Sequence, residues 1–423
     1  MTTKNSRRQF LQSSGTVLFS AAAATMQTSQ AQNSVSNGID TSATGEDYWR
    51  KVREQFAFPE DKVPMNAANL CPAFRAVTEH VDLLTEDIDR DCSFNNRAKF
   101  GDLREHARTL VANQLNVSAD EVALVRNTSE ANNIINNGLK LEAGDEVILW
   151  DQNHPTNNLA WDVRAARFDL QIKRITTSAN PSSPGELVDA FTSQFTSRTK
   201  VLTLTHVSNL SGIKLPIAEL VEAAHARGIY VHVDGAQVWG AMALDLAALD
   251  VDSFSASAHK WYMGPKEVGL LYVKSNNIDR IWPPGIAPGW GNSIETALVG
   301  ARKFESLGQR DDAALAALGT AAEIHDSIGP DRIERRVVYL AQRLKAGISD
   351  LGLQQVTPSD PDLSFGVCIT QAPAGQGGVI SNRLYEEFGI TGAATGGLRL
   401  SPTIYNTEEH LDRAVAGMKV LMT

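Results

Sequence analysis

Two short apolar runs, each followed at once by reactive side chains, constrain the fold of this chain more than any other feature. The run at residues 231–233 leads directly into Asp234, and a second run at 251–255 leads to Lys260. Runs of this length and composition are typical of buried β-strands. Because ligands bind beyond the carboxyl ends of the strands in an open α/β sheet, the sequence predicts that Asp234 and Lys260 face one crevice.

Helical and strand patterns alternate along much of the chain. We expect helices at 102–115 and 129–139, and strands at 121–125, 146–150, 201–205, 230–233, 253–255 and 269–273. Such alternation predicts an α/β fold with a mostly parallel sheet covered by helices on both faces. Later patterns, namely helices at 333–348 and 411–421 and strands at 364–370 and 397–400, predict a smaller α+β domain.

The chain length and composition fit a two-domain globular protein. Its 423 residues are 43% hydrophobic and 21% charged, and the formal net charge of −10 argues against a nucleic-acid partner. We predict a signal peptide at 1–31, a linker and N-terminal segment at 32–60, a large cofactor-binding domain at 61–290 and a small C-terminal domain at 291–423. Beyond the signal peptide, no apolar run reaches the roughly 18 residues that a stable membrane anchor needs.

The first 31 residues carry the pattern of an export signal. Ser6, Arg7 and Arg8 begin a twin-arginine motif, a modestly apolar stretch follows at 15–26, and Ala31 ends a small-x-small cleavage site. The alternative is a disordered leader with a chance arginine pair. The motif predicts that the twin-arginine machinery exports the protein already folded and that the mature protein is periplasmic.

The three cysteines are too few for a disulfide framework. We expect Cys71, Cys92 and Cys368 to be buried free thiols, and a Cys71–Cys92 bridge is the alternative. No metal site is predicted.

Asp234 and Lys260 together suggest a particular cofactor. A carboxylate can hold a protonated pyridine nitrogen and a lysine can form a Schiff base, which is the minimal equipment for pyridoxal 5'-phosphate (PLP) chemistry. Taken singly, Asp234 would be read as a helix N-cap and Lys260 as a solvated charge. Their placement after two neighbouring predicted strands favours the cofactor.

Over roughly residues 60 to 415 the chain resembles the class V aminotransferase family of fold type I PLP enzymes. Five motifs follow one another in the family's order, at 126–131, 153–158, 205–212, 234–237 and 257–260. The resemblance implies that Lys260, Asp234 and His154 are catalytic. It also implies nine cofactor-binding residues in these motifs, namely Thr128, Ser129, His154, Asn209, Asp234, Gln237, Ser257, His259 and Lys260.

The chemistry of the first motif agrees with that assignment. Thr128 and Ser129 come where a predicted strand gives way to a helix, so backbone N–H groups, hydroxyls and the helix dipole can bind a phosphate. An ordinary N-cap is the alternative. In the family, the histidine that matches His154 stacks on the pyridine ring.

The remaining motif residues have roles that the resemblance implies. Asn209 and Gln237 match the donors to the phenolic oxygen of the cofactor, and Ser257 and His259 match its phosphate contacts. Their alternatives are turn residues and solvated side chains.

Two further residues depend more heavily on the resemblance. Arg399 aligns with the arginine that holds a substrate α-carboxylate in a bidentate fork. Gln309 stands where the family has a threonine that reaches the phosphate of the neighbouring subunit. If that contact holds, the protein is a homodimer with shared active sites.

The resemblance implies an enzyme that acts on an amino acid or amine-bearing small molecule through a Schiff base with the cofactor. Cysteine desulfurases carry a reactive cysteine before the carboxylate-binding arginine, but residues 389–397 contain none and Cys368 lies in a strand pattern. The chain is more similar to the isopenicillin N epimerase-like group, on residues 304–305 and 401–407. Alternatives are a β-eliminating carbon–sulfur lyase and a periplasmic enzyme that tailors siderophores or peptides. A binding protein without catalysis is disfavoured, because both Asp234 and Lys260 are present.

Overall fold

A computed structural model describes residues 43–286 and 299–423. The predicted signal peptide, the linker residues up to 42 and the segment 287–298 lie outside the described residues. The strands are β1 Val63–Pro64, β2 Val122–Val125, β3 Glu146–Trp150, β4 Gln171–Ile175, β5 Thr199–Thr205, β6 Tyr230–Asp234, β7 Ser253–Ser257, β8 Gly269–Val273, β9 Cys368–Thr370, β10 Ile390–Thr391 and β11 Leu398–Leu400.

The α-helices surround these strands. They are α1 Gly45–Arg53, α2 Arg75–Arg90, α3 Phe94–Arg97, α4 Lys99–Gln114, α5 Thr128–Gly138, α6 Pro155–Phe168, α7 Pro184–Thr192, α8 Ile217–His225, α9 Leu246–Leu249, α10 Asp312–Ile328, α11 Pro330–Asp350, α12 Gly377–Phe388 and α13 Glu408–Met422. Within the same residues, no helix combines the length and apolar character needed to cross a membrane.

The central sheet has seven strands in the order β2-β8-β7-β6-β5-β3-β4. The pairs β3–β4, β3–β5, β5–β6 and β6–β7 are parallel, and only β8 runs against its two neighbours. The predicted mostly parallel sheet is therefore confirmed. Strand β4 was not predicted, because its sequence is polar and most of its residues are at least partly exposed at the edge of the sheet.

Helices cover both faces of this sheet, as predicted. Side chains alternate along each strand, so Ile148 and Trp150 of β3 join one apolar cluster while Val147 and Leu149 join another. Helices α5 and α6 supply the second cluster, and α4, α7, α8 and α10 supply the first. Burial on both faces explains why β2, β3 and β8 are almost wholly apolar.

The strand register brings polar residues together at one edge of the sheet. Thr205, the last residue of β5, pairs with Asp234, the last residue of β6, and Asp234 pairs in turn with Ser255 of β7. Carboxyl ends of parallel strands thereby place a hydroxyl, a carboxylate and a second hydroxyl side by side.

The smaller unit packs around α11, α12 and α13 with the antiparallel pair β9–β11. Strand β9 begins at Cys368, later than the predicted start at 364, because its partner β11 has only three residues. The predicted domain boundaries remain a prediction. Two segments pack against the unit on the other side of these boundaries. Val63 of β1 pairs with β10 and lies in the small core, whereas α10 packs against α2 and α4 of the large unit.

The cysteines are all free, so the alternative of a Cys71–Cys92 bridge is wrong. Cys71 and Cys368 are buried as expected. Cys92 is exposed, contrary to expectation, because it lies in the turn after α2, where its thiol donates to the Ile88 carbonyl and its surroundings are open to solvent.

Candidate active site

A cavity of about 250 Å³ opens at the carboxyl ends of the parallel strands. Nine of the predicted residues line it, namely Thr128, Ser129, His154, Asn209, Asp234, Gln237, Ser257, His259 and Lys260. A more open groove of about 450 Å³ lies elsewhere, but its Lys274 and Asp250 form an ion pair with each other. The smaller cavity therefore holds the reactive side chains.

One end of the cavity is built to receive an anion. Helix α5 begins there at Thr128, whose backbone N–H donates to Ser257 Oγ (2.7 Å), and the two hydroxyls lie 2.6 Å apart. Gly269 of β8 lets this turn approach the sheet, because a Cβ there would lie 3.0 Å from the Asn127 Cα atom and 2.5 Å from a carbonyl oxygen. The hydroxyls of Thr128, Ser129 and Ser257 line the cavity at the start of a helix, where the helix dipole favours an anion such as a phosphate.

Asp234 also lines the cavity and is buried, with 2% of its surface exposed. Its Oδ1 accepts from the Ala236 backbone N–H (3.0 Å), and its Oδ2 accepts from Asn132 Nδ2 (2.9 Å). Beside it, the buried Thr205 hydroxyl has no hydrogen-bond partner among the described residues. A buried polar atom without a partner is costly, so this hydroxyl marks space suited to a polar ligand.

Lys260 follows β7 and reaches the same cavity. Burial lowers its pKa, and the positive charge of Arg399 adds to that effect, while the carboxylate of Asp234 opposes it. Over the part of the chain that the structure describes, its amine forms no hydrogen bond. A lysine whose amine loses its proton more readily is a better nucleophile and a better base.

Two histidines line the cavity, and burial lowers the pKa of both. His154 caps α6, where its Nδ1 accepts from the Thr156 N–H (3.3 Å), and burial together with Lys260 lowers its pKa. Burial likewise lowers the pKa of His259 to about 4, with further contributions from Lys260 and Lys266. A neutral imidazole has one nitrogen that donates and one that accepts.

Gln237 is fixed by two contacts. Its Nε2 donates to the Ala68 carbonyl (3.0 Å), and its Oε1 accepts from Trp261 Nε1 (2.9 Å). One N–H of the amide remains free for a ligand, as the predicted contact with a phenolic oxygen requires. Asn209 also lines the cavity, so both predicted donors are brought together.

Arg399 lies behind Asn209 rather than in the cavity lining. Its Nη1 donates to the Asn209 carbonyl (3.1 Å) and its Nη2 to Asn66 Oδ1 (3.3 Å), and burial lowers its pKa to about 10. Gln309, in contrast, is exposed and bonds to Arg97. Gln309 does not line the cavity of its own chain, and its contact with a partner subunit stays a prediction.

Some lining residues were not predicted. They are Asn69, Asn127, Asn132, Thr156, Thr205 and Ala236. Helical spacing could have identified one of them, since Asn132 lies four residues after Thr128 and therefore on the same face of α5. In the described parts of the chain, no group of three or more His, Cys, Asp or Glu side chains could hold a metal ion.

The residues present fit PLP, since a phosphate site, a buried carboxylate and a lysine with a lowered pKa share one cavity. Fold and site together define a fold type I PLP enzyme. Residues 90–413 match the family model for aminotransferase class V, and the chain belongs to that PLP-dependent family. The predicted family and cofactor are thereby confirmed.

Relatives within this family carry out different reactions. The chain is 28% identical to isopenicillin N epimerase of Streptomyces clavuligerus, over 88% of this chain and 98% of that one. It is 30% identical to a cysteine desulfurase of Escherichia coli O127:H6, over 71% and 78% of the two chains. A solved structure of a C-DES mutant with glycine linked to PLP has a TM-score of 0.80 at 21% identity, over 87% of this chain and 99% of that one, which shows the same fold.

Proposed function

We propose that this enzyme binds PLP at Asp234 and Lys260 and moves a proton at the α-carbon of an amino-acid substrate whose carboxylate Arg399 holds. We further propose that the outcome is inversion at that carbon rather than sulfur transfer. The observation that carries the proposal is that Lys260 and the buried Asp234 line one cavity, and that Arg399 donates to the backbone of Asn209, which lines the same cavity.

Each residue has a separate task in this proposal. When bound, PLP supplies an electron sink that stabilises negative charge on the substrate α-carbon. Thr128 and Ser257 hold its phosphate, and Asp234 accepts from its ring nitrogen. Lys260 would take the proton from one face of the α-carbon, a task that its lowered pKa favours, and inversion requires that a proton return to the opposite face.

The thiols support inversion over sulfur transfer. A sulfur-accepting cysteine must reach the substrate as a thiolate, but burial raises the pKa of both Cys71 and Cys368 to about 12. Cys92 is exposed, and none of the three lines the cavity. Isopenicillin N epimerases of two bacteria match nearly their whole length to this chain, which also supports inversion.

The test is to incubate the PLP-loaded enzyme with a panel of amino acids and amino-acid-bearing peptides in deuterated water. Inversion predicts loss of the α-proton signal in NMR together with formation of the opposite stereoisomer on a chiral column. Lys260→Ala should do neither. Release of a 2-oxo acid with a thiol or sulfide would identify a carbon–sulfur lyase instead, and transfer of the amino group to a 2-oxo acid would identify a transaminase.

The location and assembly belong to the same proposal. The twin-arginine motif supports export of the folded protein to the periplasm, where a peptide-derived or siderophore-derived amine is a suitable substrate. Gln309, which bonds outside its own cavity, supports a homodimer in which each subunit completes the other's phosphate site.

A further inference from the structure

A line of hydrogen bonds leads away from Asp234 into the protein interior. Asn132 Nδ2 donates to Asp234 Oδ2 (2.9 Å), and Asn132 Oδ1 lies 2.9 Å from His232 Nε2. His232 Nδ1 lies 2.7 Å from Ser253 Oγ, and Ser255 Oγ donates to Asn132 Oδ1 (2.5 Å). All four supporting side chains are at most 1% exposed.

The chemistry of these groups fixes the direction of every bond. An ionised carboxylate only accepts, so the Asn132 amide must turn its NH₂ group toward Asp234 and its oxygen toward His232. His232 must then carry its proton on Nε2, which leaves Nδ1 to accept from the Ser253 hydroxyl. Burial lowers the pKa of His232 to about 3, and a hydrogen bond with the Ser253 backbone opposes that shift, so the ring is neutral.

This arrangement orients the carboxylate. Asn132 donates to Asp234 and its oxygen accepts from His232 and Ser255, so the amide cannot rotate without losing those bonds. A buried polar group deprived of its partner costs about 1–3 kcal/mol, so rotation is unfavourable. The carboxylate of Asp234 accepts hydrogen bonds from Asn132 Nδ2 and from the Ala236 backbone N–H, and it still lines the cavity.

We propose that Asn132 and His232 are positioning residues that hold Asp234 as the acceptor for the protonated pyridine nitrogen of the cofactor. The proposal rests on PLP binding at Asp234. Neither residue lies in the five motifs through which the chain resembles its family. The side chain of Asn132 also lines the cavity.

The test compares two asparagines of the same helix. Asn132→Leu removes the donor to Asp234, whereas the matched control Asn136→Leu, one turn further along α5, removes an equally buried amide that bonds to Asn157 instead. For Asn132→Leu we expect the dissociation constant of PLP to rise roughly tenfold, which corresponds to about 1.4 kcal/mol. NMR of PLP with an isotope-labelled ring nitrogen should show partial loss of the ring proton.

The control should keep the wild-type PLP affinity and ring-nitrogen signal, even if its unfolding temperature falls. His232→Leu is the second variant, because it keeps Asn132 but allows its amide to rotate. His232→Gln should restore the ring-nitrogen signal, because glutamine can donate to Asn132 Oδ1 as His232 does. Wild-type affinity and ring signal in both Asn132→Leu and His232→Leu would overturn the proposal, as would equal changes in Asn136→Leu. Wild-type protein that binds no PLP would overturn the cofactor site itself.

Discussion

Replacing Arg399 with lysine tests how the substrate carboxylate is held. Arg399 is 4% exposed, and two of its nitrogens already donate to Asn209 and Asn66. Those contacts fix the plane of the guanidinium group behind the cavity lining, and its Nε has no hydrogen-bond partner among the described residues, so the proposal requires the substrate carboxylate to reach past Asn209 to form a fork. Lysine keeps the charge but has a single nitrogen on a flexible stem.

The expected loss follows from the number of hydrogen bonds. A two-bond fork that becomes a single contact loses one charge-assisted hydrogen bond, worth about 1.5–3 kcal/mol. At about 1.4 kcal/mol per factor of ten, amino-acid binding in Arg399→Lys should weaken roughly tenfold to hundredfold. The variant should also bind less well as pH rises, because the burial that lowers the pKa of Arg399 to about 10 would lower that of a lysine there below its ordinary value.

The assay is titration of PLP-loaded enzyme with an amino acid, followed by the absorbance of the cofactor. Arg383→Lys is the control, since Arg383 is exposed on α12 and forms an ion pair with Glu387, and the substrate affinity of this variant should not change. PLP content should remain normal in both variants. Wild-type substrate affinity in Arg399→Lys, or loss of its cofactor, would show that another residue holds the carboxylate.

Four further outcomes are expected. Borohydride should fix PLP on Lys260 in the wild type, and Lys260→Ala should stay folded but lose the adduct and all turnover; an adduct mapped by mass spectrometry to another lysine would contradict this. Lysines in place of both leader arginines should hold the precursor in the cytoplasm, which cell fractionation would detect, and undiminished periplasmic protein would refute export by this route. Gln309→Ala should weaken PLP binding while sedimentation still shows a dimer; a wild-type monomer with full activity would exclude shared sites. Burial lowers the pKa of His206 and His325 from an ordinary 6.5 to about 4, so between these pH values the unfolded chain binds more protons than the folded one. The free energy of unfolding, measured by urea titration, should therefore fall as pH drops from 6.5 toward 4, by up to about 1.4 kcal/mol per pH unit for each histidine. A free energy of unfolding that does not change over this range would contradict the prediction.

Sequence patterns predicted the centre of the fold well. The bounds of Glu146–Trp150 and Gly269–Val273 agree with the structure, because strands buried on both faces must be apolar throughout. The edge strand Gln171–Ile175 escaped prediction, since its exposed side chains carry no such constraint. Helix Gly377–Phe388 begins with two glycines, which weaken a helical pattern.

The candidate site shows the same division. Asp234 and Lys260 could be predicted because Asp234 directly follows one strand pattern and Lys260 comes a few residues after another, and the structure places both in one cavity. Thr205 lies in one of the five motifs but was not predicted to line the cavity. Its hydroxyl has no hydrogen-bond partner among the described residues, and this becomes evident only when its neighbours in space are known. Asn132 has a partner 102 positions away, and such a contact leaves no local trace in the sequence.

The parallel pairing of Val63–Pro64 with Ile390–Thr391 has a consequence for biosynthesis. Arg399 meets Asn66 across 333 positions, so the ribosome must release nearly all of the described chain before the two can touch. Closing so long a loop has an entropic cost, and the contacts that offset it form only after most of the chain has been synthesised. A nascent chain can therefore assemble the large sheet during translation, but the contact between Asn66 and Arg399 forms only when synthesis is nearly complete. Export in the folded state, as proposed above, would require this step to finish in the cytoplasm.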